Sequence, residues 1–167
     1  RLASDKSGIN EVLFEKSDEK LRNSLLYRIA RKEYTGEIIP PDSEDFISND
    51  NLFNFQAKVI KSLADQESCV IVGRCADYIL KDRKNVVQLF VHASIEDCVS
   101  RLEDMYSLSK SDLERKIKSI DKRRAEYYKY FTGQDWNNAE NYDLCLNTHQ
   151  LGYDKCIEIV KAYLKVR

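Results

Sequence analysis

The chain has 167 residues, of which 43% are hydrophobic and 33% are charged, and its formal net charge is −1. This length is typical of one domain with a real core, and the charge balance argues against a general nucleic-acid-binding protein, which would carry a basic excess. The five cysteines show no CxxC or zinc-site spacing, and the sequence contains no signal peptide or long apolar span, which predicts a reduced, cytoplasmic protein with no membrane segment.

The first part of the chain predicts helices separated by a loop. A short helix and turn fall within residues 1–17, and the loop at 35–51 contains both prolines together with turn-forming and acidic residues. An amphipathic helix lies on each side of this loop, and Gln56 is near the apolar stripe of the second helix. The stripe residues are Leu21, Leu25, Leu26 and Ile29 in the first helix, and Leu52, Phe55, Val59, Ile60 and Leu63 in the second.

The remainder of the chain alternates apolar, strand-like runs with helical patterns. Strands that alternate with helices predict an α/β domain with a parallel sheet, in which ligands bind beyond the carboxyl ends of the strands. Ser94 and Asp97 form a capping pattern at the start of one of these helices. In chain order we predict strand 69–72, helix 75–82, strand 86–93, a helix after Ser94, a long helix from Ser109 or Ser111 to about Phe131, strand 142–148 and helix 152–166.

An arginine directly follows the first predicted strand. The apolar run at 69–72 ends at Gly73, and Arg74 then falls at the edge of the sheet where ligands bind. The alternative is an exposed arginine that pairs with a neighbouring acid such as Asp77. The spacing by itself leaves both interpretations open.

The long helix predicts a second arginine of interest. Arg124 recurs with apolar residues at steps of three and four, so it falls on the apolar stripe, next to Arg123. A charge is seldom buried unless it is paired, so Arg124 should meet a carboxylate or a phosphate. The alternative is a solvated basic helix with pairs such as Glu114 with Lys118. For Arg123 and Arg124 the pattern favours anion binding, because the planar guanidinium can donate two parallel hydrogen bonds to a phosphate.

Three segments, "VIVGRCADYILKDR", "DKRRAEYYKYFTGQDW" and "NYDLCLNT", together resemble the cytidylate kinase-like proteins, which are relatives of the nucleoside monophosphate kinases. The resemblance covers essentially the whole chain in the same order. It implies an α/β, three-layer P-loop kinase fold with a parallel sheet, a helical acceptor-binding flap and a helical lid. Residues 1–167 would then form one kinase-like domain, with its core at 69–106 and 139–167, its flap at 18–66 and its lid at 107–138.

The resemblance also implies roles for individual residues. Gly73 and Arg74 match a turn that contacts the acceptor nucleotide, and Gln56 matches a glutamine in the preceding helix. Arg123 and Arg124 match catalytic lid arginines that meet the phosphates being transferred, with Arg115 as a weaker match. The implied activity is phosphoryl transfer from ATP, with Mg²⁺ bound to the nucleotide, to a small acceptor such as CMP. The partners would be small-molecule nucleotides, with no nucleic acid, no membrane and no specified oligomeric state.

Two features depart from the family pattern. Val72 and Cys75 stand where true cytidylate kinases have aspartates, so the acceptor stays open between a nucleoside monophosphate and another small metabolite. The five glycines are not clustered, so they cannot form a phosphate-binding loop. We therefore expect a strand–loop–helix unit to precede residue 1, with its strand between 69–72 and 86–91. A degenerate loop there would instead indicate a catalytically idle nucleotide-binding or partner-binding protein.

Three further residues are interpreted as structural. His92 and His149 are isolated in the sequence and are predicted to be surface or capping residues. Trp136 is predicted to anchor the lid by packing on Tyr127 or Tyr130.

Overall fold

The computed structural model describes residues 49–103 and 105–167. The predicted helix around residues 21–29, most of the loop at 35–51 and most of the flap at 18–66 lie outside the described residues. Within the described part, the chain divides into two compact units. The first unit contains residues 49–84 and 126–134, and the second contains 85–125 and 135–167.

The first unit is built around two helices and the end of a third. Helix α1 spans Asn49–Gln66, and helix α2 is a single turn, Ala76–Ile79, that packs against α1. The aromatic ring of Phe53 on α1 stacks on Phe131 at 4.1 Å between centroids and meets Tyr127 edge-on at 6.5 Å. The core residues of this unit are Leu52, Val59, Ile60, Cys75, Ala76, Leu80, Tyr127 and Tyr128.

The segment 69–72 does not form the strand that its composition predicts. It has no regular secondary structure and no ladder partner among the described residues, and the side chains of Val70 and Val72 are 93% and 86% exposed. The prediction of a buried strand is therefore wrong for the described structure. β-Branched residues favour strands because they pack against cross-strand and same-face neighbours, so composition alone does not create a strand where no neighbour pairs with it.

The second unit contains a parallel pair of strands, as predicted. Strand β1, Leu89–His92, pairs with strand β2, Leu144–Asn147, with Leu89 opposite Leu144 and His92 opposite Asn147. Both strands are shorter than predicted, because the flanking residues make no ladder. These two strands form the sheet that the structure describes, so the described part is a helix-rich α/β protein with a small parallel sheet.

The aromatic side chains around β1 place Trp136 differently from the prediction. Phe90 packs edge-on against Trp136 at 5.6 Å and stacks on Tyr142 at 5.1 Å, and the Tyr142 hydroxyl donates to the Trp136 carbonyl at 2.7 Å. Trp136 therefore anchors its loop to β1 through Phe90, whereas the sequence predicted packing on Tyr127 or Tyr130.

The helices that follow the strands begin as the sequence predicts. Helix α3 spans Ile95–Glu103, and the Asp97 amide donates to Ser94 Oγ at 3.2 Å, which confirms the predicted cap. Helix α4 spans Lys110–Thr132, within one residue of the predicted end, and contributes its residues up to Ala125 to the second unit. A short 3₁₀ helix covers Ala139–Asn141, and helix α5 spans Thr148–Val166 with a kink at Gly152.

The kink in α5 separates its first turn from the rest of the helix. Gly152 has φ 74° and ψ 167°, which lie outside the helical region. The turn before the kink directly follows β2, so it stays at the carboxyl end of the sheet. In the described part of the chain, no helix is both long enough and apolar enough to cross a membrane.

Candidate functional site

The turn after residues 69–72 has an unusual backbone. Gly73, Arg74 and Cys75 all have positive φ angles, of 71°, 58° and 54°. The Ala76 amide donates to the Gly73 carbonyl at 3.1 Å, and α2 begins directly afterwards. Glycine adopts this left-handed conformation readily, whereas for a residue with a Cβ the conformation is less favourable by about 1–2 kcal/mol. Two successive side-chain-bearing residues here indicate that the surrounding structure imposes the backbone of this turn.

Cys75 anchors the turn in the core of the first unit. Its side chain is 3% exposed, and Ala76 and Leu80 are buried beside it. Burial raises the pKa of the Cys75 thiol to about 12, with a further increase from the Asp77 carboxylate and an opposing effect from the Arg74 guanidinium. The thiol is therefore neutral near pH 7 and does not act as a nucleophile, because that role requires the thiolate. Cys75 holds the turn from inside, while Arg74 is exposed.

A hydrogen bond connects α2 to the end of α4 within the first unit. The Tyr128 hydroxyl donates to Asp77 Oδ2 at 2.5 Å, and the side-chain oxygen of Gln134, Oε1, is a second acceptor 3.2 Å from the same hydroxyl. Tyr128 is 4% exposed and Asp77 is half-buried, so the bond is partly buried. Asp77 therefore accepts a hydrogen bond from a tyrosine that is 51 residues away in the sequence.

Gln56 lies on the helix that packs against α2. It belongs to α1 and its side chain is 7% exposed. A glutamine buried to this extent serves the packing of the first unit, and its predicted contact with a substrate stays a prediction. The first unit therefore contains Gly73, Arg74 and Gln56.

The remaining predicted site residues belong to the part of α4 in the second unit. Arg124 is 62% exposed, and its Nη1 lies 3.2 Å from Asp121 Oδ1. The prediction that Arg124 occupies the apolar stripe is therefore wrong, because the helix turns this side chain towards solvent and towards an acid one turn earlier. Arg123, by contrast, is half-buried, and Arg115 is 78% exposed in an ion pair with Asp112.

The ion pair of Lys118 with Glu114 on α4 agrees with the alternative of a solvated basic helix. Lys118 Nζ lies 2.5 Å from Glu114 Oε1, as the spacing of four residues predicts. Exposed ion pairs of this kind contribute about 0–1 kcal/mol to stability, so another anion can replace the carboxylate easily. The exposed pair of Arg124 with Asp121 on the same helix should contribute equally little to stability.

A polar cluster at the carboxyl ends of β1 and β2 was not predicted from the sequence. The Asp97 carboxylate lies 2.7 Å from Arg101 Nη2 and 3.3 Å from His149 Nδ1. The Arg101 guanidinium also donates to the Thr148 carbonyl at 3.3 Å and lies 4.6 Å from the centre of the Tyr153 ring. Together these contacts tie α3 to α5 on both sides of the kink at Gly152.

The position of His149 corrects the sequence interpretation in part. The His149 side chain is 52% exposed, which confirms its predicted place at the surface, and the capping residue is Asn147, whose side chain accepts a hydrogen bond from the His149 amide at 3.1 Å. Its imidazole, however, meets an acid from α3 and is not isolated. The signal for this contact was present in the sequence, because both segments directly follow strands whose carboxyl ends meet at one edge of a parallel sheet.

Within residues 49–103 and 105–167, no group of three or more histidine, cysteine, aspartate or glutamate side chains is arranged to hold a metal ion. The sequence predicted anion binding for arginines of the turn and of α4, and the structure leaves Arg74, Arg115 and Arg124 exposed. Guanidinium groups bind phosphate through parallel, charge-assisted hydrogen bonds.

Comparison with known proteins identifies the family. The sequence model of the cytidylate kinase-like family matches residues 1–150. A solved structure of an uncharacterized protein from Eubacterium ventriosum is 25% identical, covers 74% of this chain and 76% of that chain, and has a TM-score of 0.67. No curated protein matches the chain. Because the family match spans most of the sequence, the chain belongs to the cytidylate kinase-like family.

Proposed function

We propose that the protein transfers a phosphoryl group from ATP to a small acceptor, with a nucleoside monophosphate such as CMP as the first candidate. Membership of the cytidylate kinase-like family indicates a nucleotide kinase-like role. The observation that carries the proposal is the turn at Arg74, where an exposed guanidinium stands on a backbone that buried neighbours hold in an unfavourable conformation. Such conformations are enriched at active sites and ligand-binding sites, which supports a functional role for this turn.

Arg74 is the proposed anchor of the acceptor phosphate. Its exposed side chain can form the bidentate hydrogen bonds that a phosphate accepts. Gly73 belongs to the same turn and lets the backbone adopt it, since a side chain at φ 71° is disfavoured. Gln56 is proposed as a further acceptor contact from α1, although its burial requires the substrate to reach into the first unit.

The arginines of α4 are proposed to meet the phosphates being transferred. Phosphoryl transfer depends mainly on positioning and charge neutralisation, and arginines supply both. Arg123 and Arg124 are the proposed catalytic residues, and Arg115 is a weaker candidate. The Arg124 pair with Asp121 and the Arg115 pair with Asp112 are exposed, so a nucleotide phosphate can replace each carboxylate.

ATP and Mg²⁺ are the proposed cofactors, and the described arginines fit the phosphates of ATP. Mg²⁺ is usually held by substrate phosphates, waters and one or two carboxylates, so it does not require a dedicated protein cage. When bound, it neutralises charge on the phosphates. The three-layer P-loop fold, with a flap at 18–66 and a lid at 107–138, completes the proposal and is supported by the family match over residues 1–150.

A second candidate is phosphorylation of a different small metabolite. Cys75 stands where true cytidylate kinases are expected to have an aspartate, and here the thiol is 3% exposed, so it offers no polar group to a base. Val72, at the other such position, is 86% exposed and apolar. This chemistry favours an acceptor whose recognition does not depend on two acids beside the turn.

A thermal-shift panel on the full-length protein tests the proposal. Nucleoside monophosphates and other phosphorylated metabolites are each added with a non-hydrolysable ATP analogue and Mg²⁺, and every compound that raises the melting temperature is then assayed for ATP-dependent phosphorylation. We expect at least one phosphorylated acceptor to stabilise the protein and to be turned over. Arg74→Ala should abolish the shift caused by the acceptor and keep the shift caused by the ATP analogue. Binding without turnover of any acceptor would instead support the catalytically idle protein.

A further inference from the structure

The contact between Tyr128 and Asp77 has a geometry that goes beyond ordinary packing. A hydroxyl-to-carboxylate distance of 2.5 Å is typical of a charge-assisted hydrogen bond, which is about twice as strong as a bond between neutral groups. The hydroxyl carries one proton, and the carboxylate is its closest acceptor, at 2.5 Å against 3.2 Å for Gln134. The bond therefore joins α2 to α4 across 51 residues of sequence.

The helix that carries Asp77 is too short to be stable without contacts to the rest of the first unit. Helix α2 has four residues, and an isolated helix of this length is unstable in water. Its location thus depends on the burial of Cys75, Ala76 and Leu80 and on the bond from Asp77 to Tyr128. The left-handed residues Arg74 and Cys75 come directly before it, so any shift of α2 changes where Arg74 points.

The other end of the bond is fixed by the end of α4. The Thr132 hydroxyl donates to the Tyr128 carbonyl at 2.6 Å, and the Gln134 amide donates to Thr132 Oγ1 at 3.0 Å. The Gly133 amide donates to the Lys129 carbonyl at 2.9 Å, and Gly133 has φ 74°, as is usual for a residue that ends a helix. Tyr128 is therefore a fixed point to which the turn is attached.

We propose that Tyr128 and Asp77 are positioning residues for the acceptor site, which hold the turn at Arg74 in the geometry that receives the acceptor phosphate. This inference rests on the proposed function of Arg74. Neither residue is required to touch the substrate, and Tyr128 is too buried to do so. The hydroxyl acts through the carboxylate, and the carboxylate acts through the short helix and the turn.

Kinetics of the full-length protein, with whichever acceptor the thermal-shift panel identifies, provide the first test. Tyr128→Phe removes the hydroxyl alone, and loss of one buried, charge-assisted hydrogen bond should raise the KM for the acceptor about tenfold or more. The KM for ATP should change less than about twofold. Asp77→Asn retains an oxygen that accepts the tyrosine proton but lacks the charge, so it should raise the KM for the acceptor less than Asp77→Ala does.

Tyr130→Phe is the matched control. Tyr130 lies on the same helix, and its hydroxyl is 3.4 Å from Asp50 on α1, so this variant removes a comparable group without touching α2. It should leave both KM values unchanged. A lower kcat together with similar increases in the KM for the acceptor and the KM for ATP in Tyr128→Phe would overturn the inference in favour of a purely structural role. Equal effects of the two tyrosine variants would do the same.

A second readout does not depend on activity. Cys75 is buried, and trypsin cuts after Arg74 and Lys81, so alkylation of Cys75 by iodoacetamide in the folded protein can be measured on the peptide 75–81 by mass spectrometry. We expect Tyr128→Phe to accelerate this alkylation several-fold and Tyr130→Phe to leave it unchanged. If Arg74→Ala fails to affect the acceptor, the proposed function of Arg74 is wrong, and the alkylation rate still decides whether Tyr128 holds the turn. Unchanged alkylation in Tyr128→Phe would overturn the inference.

Discussion

Arg74 and Arg124 stand on opposite kinds of backbone. Arg74 has φ 58° in a turn whose next residue, Cys75, is buried, while Arg124 lies in the interior of a long helix and pairs with Asp121 three residues earlier. Arg124 is where helix geometry alone puts it. Arg74 has a conformation that its own backbone disfavours, so other parts of the first unit must maintain it. For these two arginines, the contacts that maintain an unfavourable backbone conformation indicate a functional position better than a place in an apolar sequence pattern does.

The largest expected effect concerns the helix arginine. If Arg124 meets the transferring phosphate, Arg124→Ala should lower kcat by about 10³-fold, and Arg124→Lys should recover little because lysine lacks the planar fork. The melting temperature should hardly change, since the pair with Asp121 is exposed. Lys118→Ala removes an exposed cation from the same helix and serves as the control in steady-state assays. Unchanged turnover in Arg124→Ala would leave Arg124 with a surface ion pair as its function.

The next effect concerns the buried side of the turn. Cys75→Asp should lower the free energy of unfolding by about 3–5 kcal/mol at pH 7, because it places a carboxylate in the core without a matching partner. Burial raises the folded pKa of such a carboxyl above its unfolded value of about 3.9, so the part of the loss that comes from ionisation should be absent below that pH and should grow as the pH rises towards the folded pKa, while the smaller cost of burying the neutral carboxyl stays. Urea unfolding at pH 4, 6 and 8 measures it.

Cys69→Asp is the control for this experiment. Cys69 is exposed in the segment before the turn, so its replacement should change stability by less than about 0.5 kcal/mol at every pH. Equal effects at the two cysteines would show that the turn is not anchored through Cys75.

Replacing each arginine with glycine should change the free energy of unfolding by a smaller amount and in opposite directions. Arg74→Gly should raise the free energy of unfolding by up to about 1 kcal/mol, because glycine adopts φ 58° without strain. Arg124→Gly should lower it by about 1 kcal/mol, because glycine weakens a helix interior. Thermal and urea unfolding of the two variants give both values. Destabilisation by Arg74→Gly would mean that the arginine side chain stabilises the turn by more than its backbone strain.

The smallest effect concerns two exposed carboxyls. The Ser109 hydroxyl and then the Arg115 guanidinium hold the pKa of Asp112 below its usual value, and a hydrogen bond from Arg83 does the same for Asp65 in the first unit. Lowered pKa values mean that these contacts stabilise the fold above the unfolded pKa of about 3.9 and are lost as the pH falls through the folded values. NMR titration should show that the pKa of Asp112 increases more in Ser109→Ala than in Arg115→Ala. The pKa of Asp65 should increase in Arg83→Ala. A reversed order for Asp112 would show that the ion pair outweighs the helix cap.

The sequence predicted the features that depend on neighbours along the chain. The long helix was predicted from Ser109 or Ser111 to about Phe131 and spans Lys110–Thr132, and the Ser94 cap and the Glu114–Lys118 pair are present as expected. The parallel orientation of 89–92 and 144–147 follows from the alternation of strands and helices, whereas their direct pairing was not specified by the sequence. These features arise from periodicity and short-range hydrogen bonds, which the order of residues specifies directly.

Tertiary structure alone decided the rest. The run at 69–72 has strand composition, but it has no pairing partner among the described residues and leaves Val70 and Val72 exposed. The positive φ angles of Arg74 and Cys75, the bond from Tyr128 to Asp77 and the contact of His149 with Asp97 each join residues through a folded environment that local spacing does not contain. Sequence placed an arginine after an apolar run, and the packing of Cys75 and the tyrosine from a distant helix determined its backbone, because a strained conformation persists only where contacts from elsewhere in the fold outweigh its local free energy.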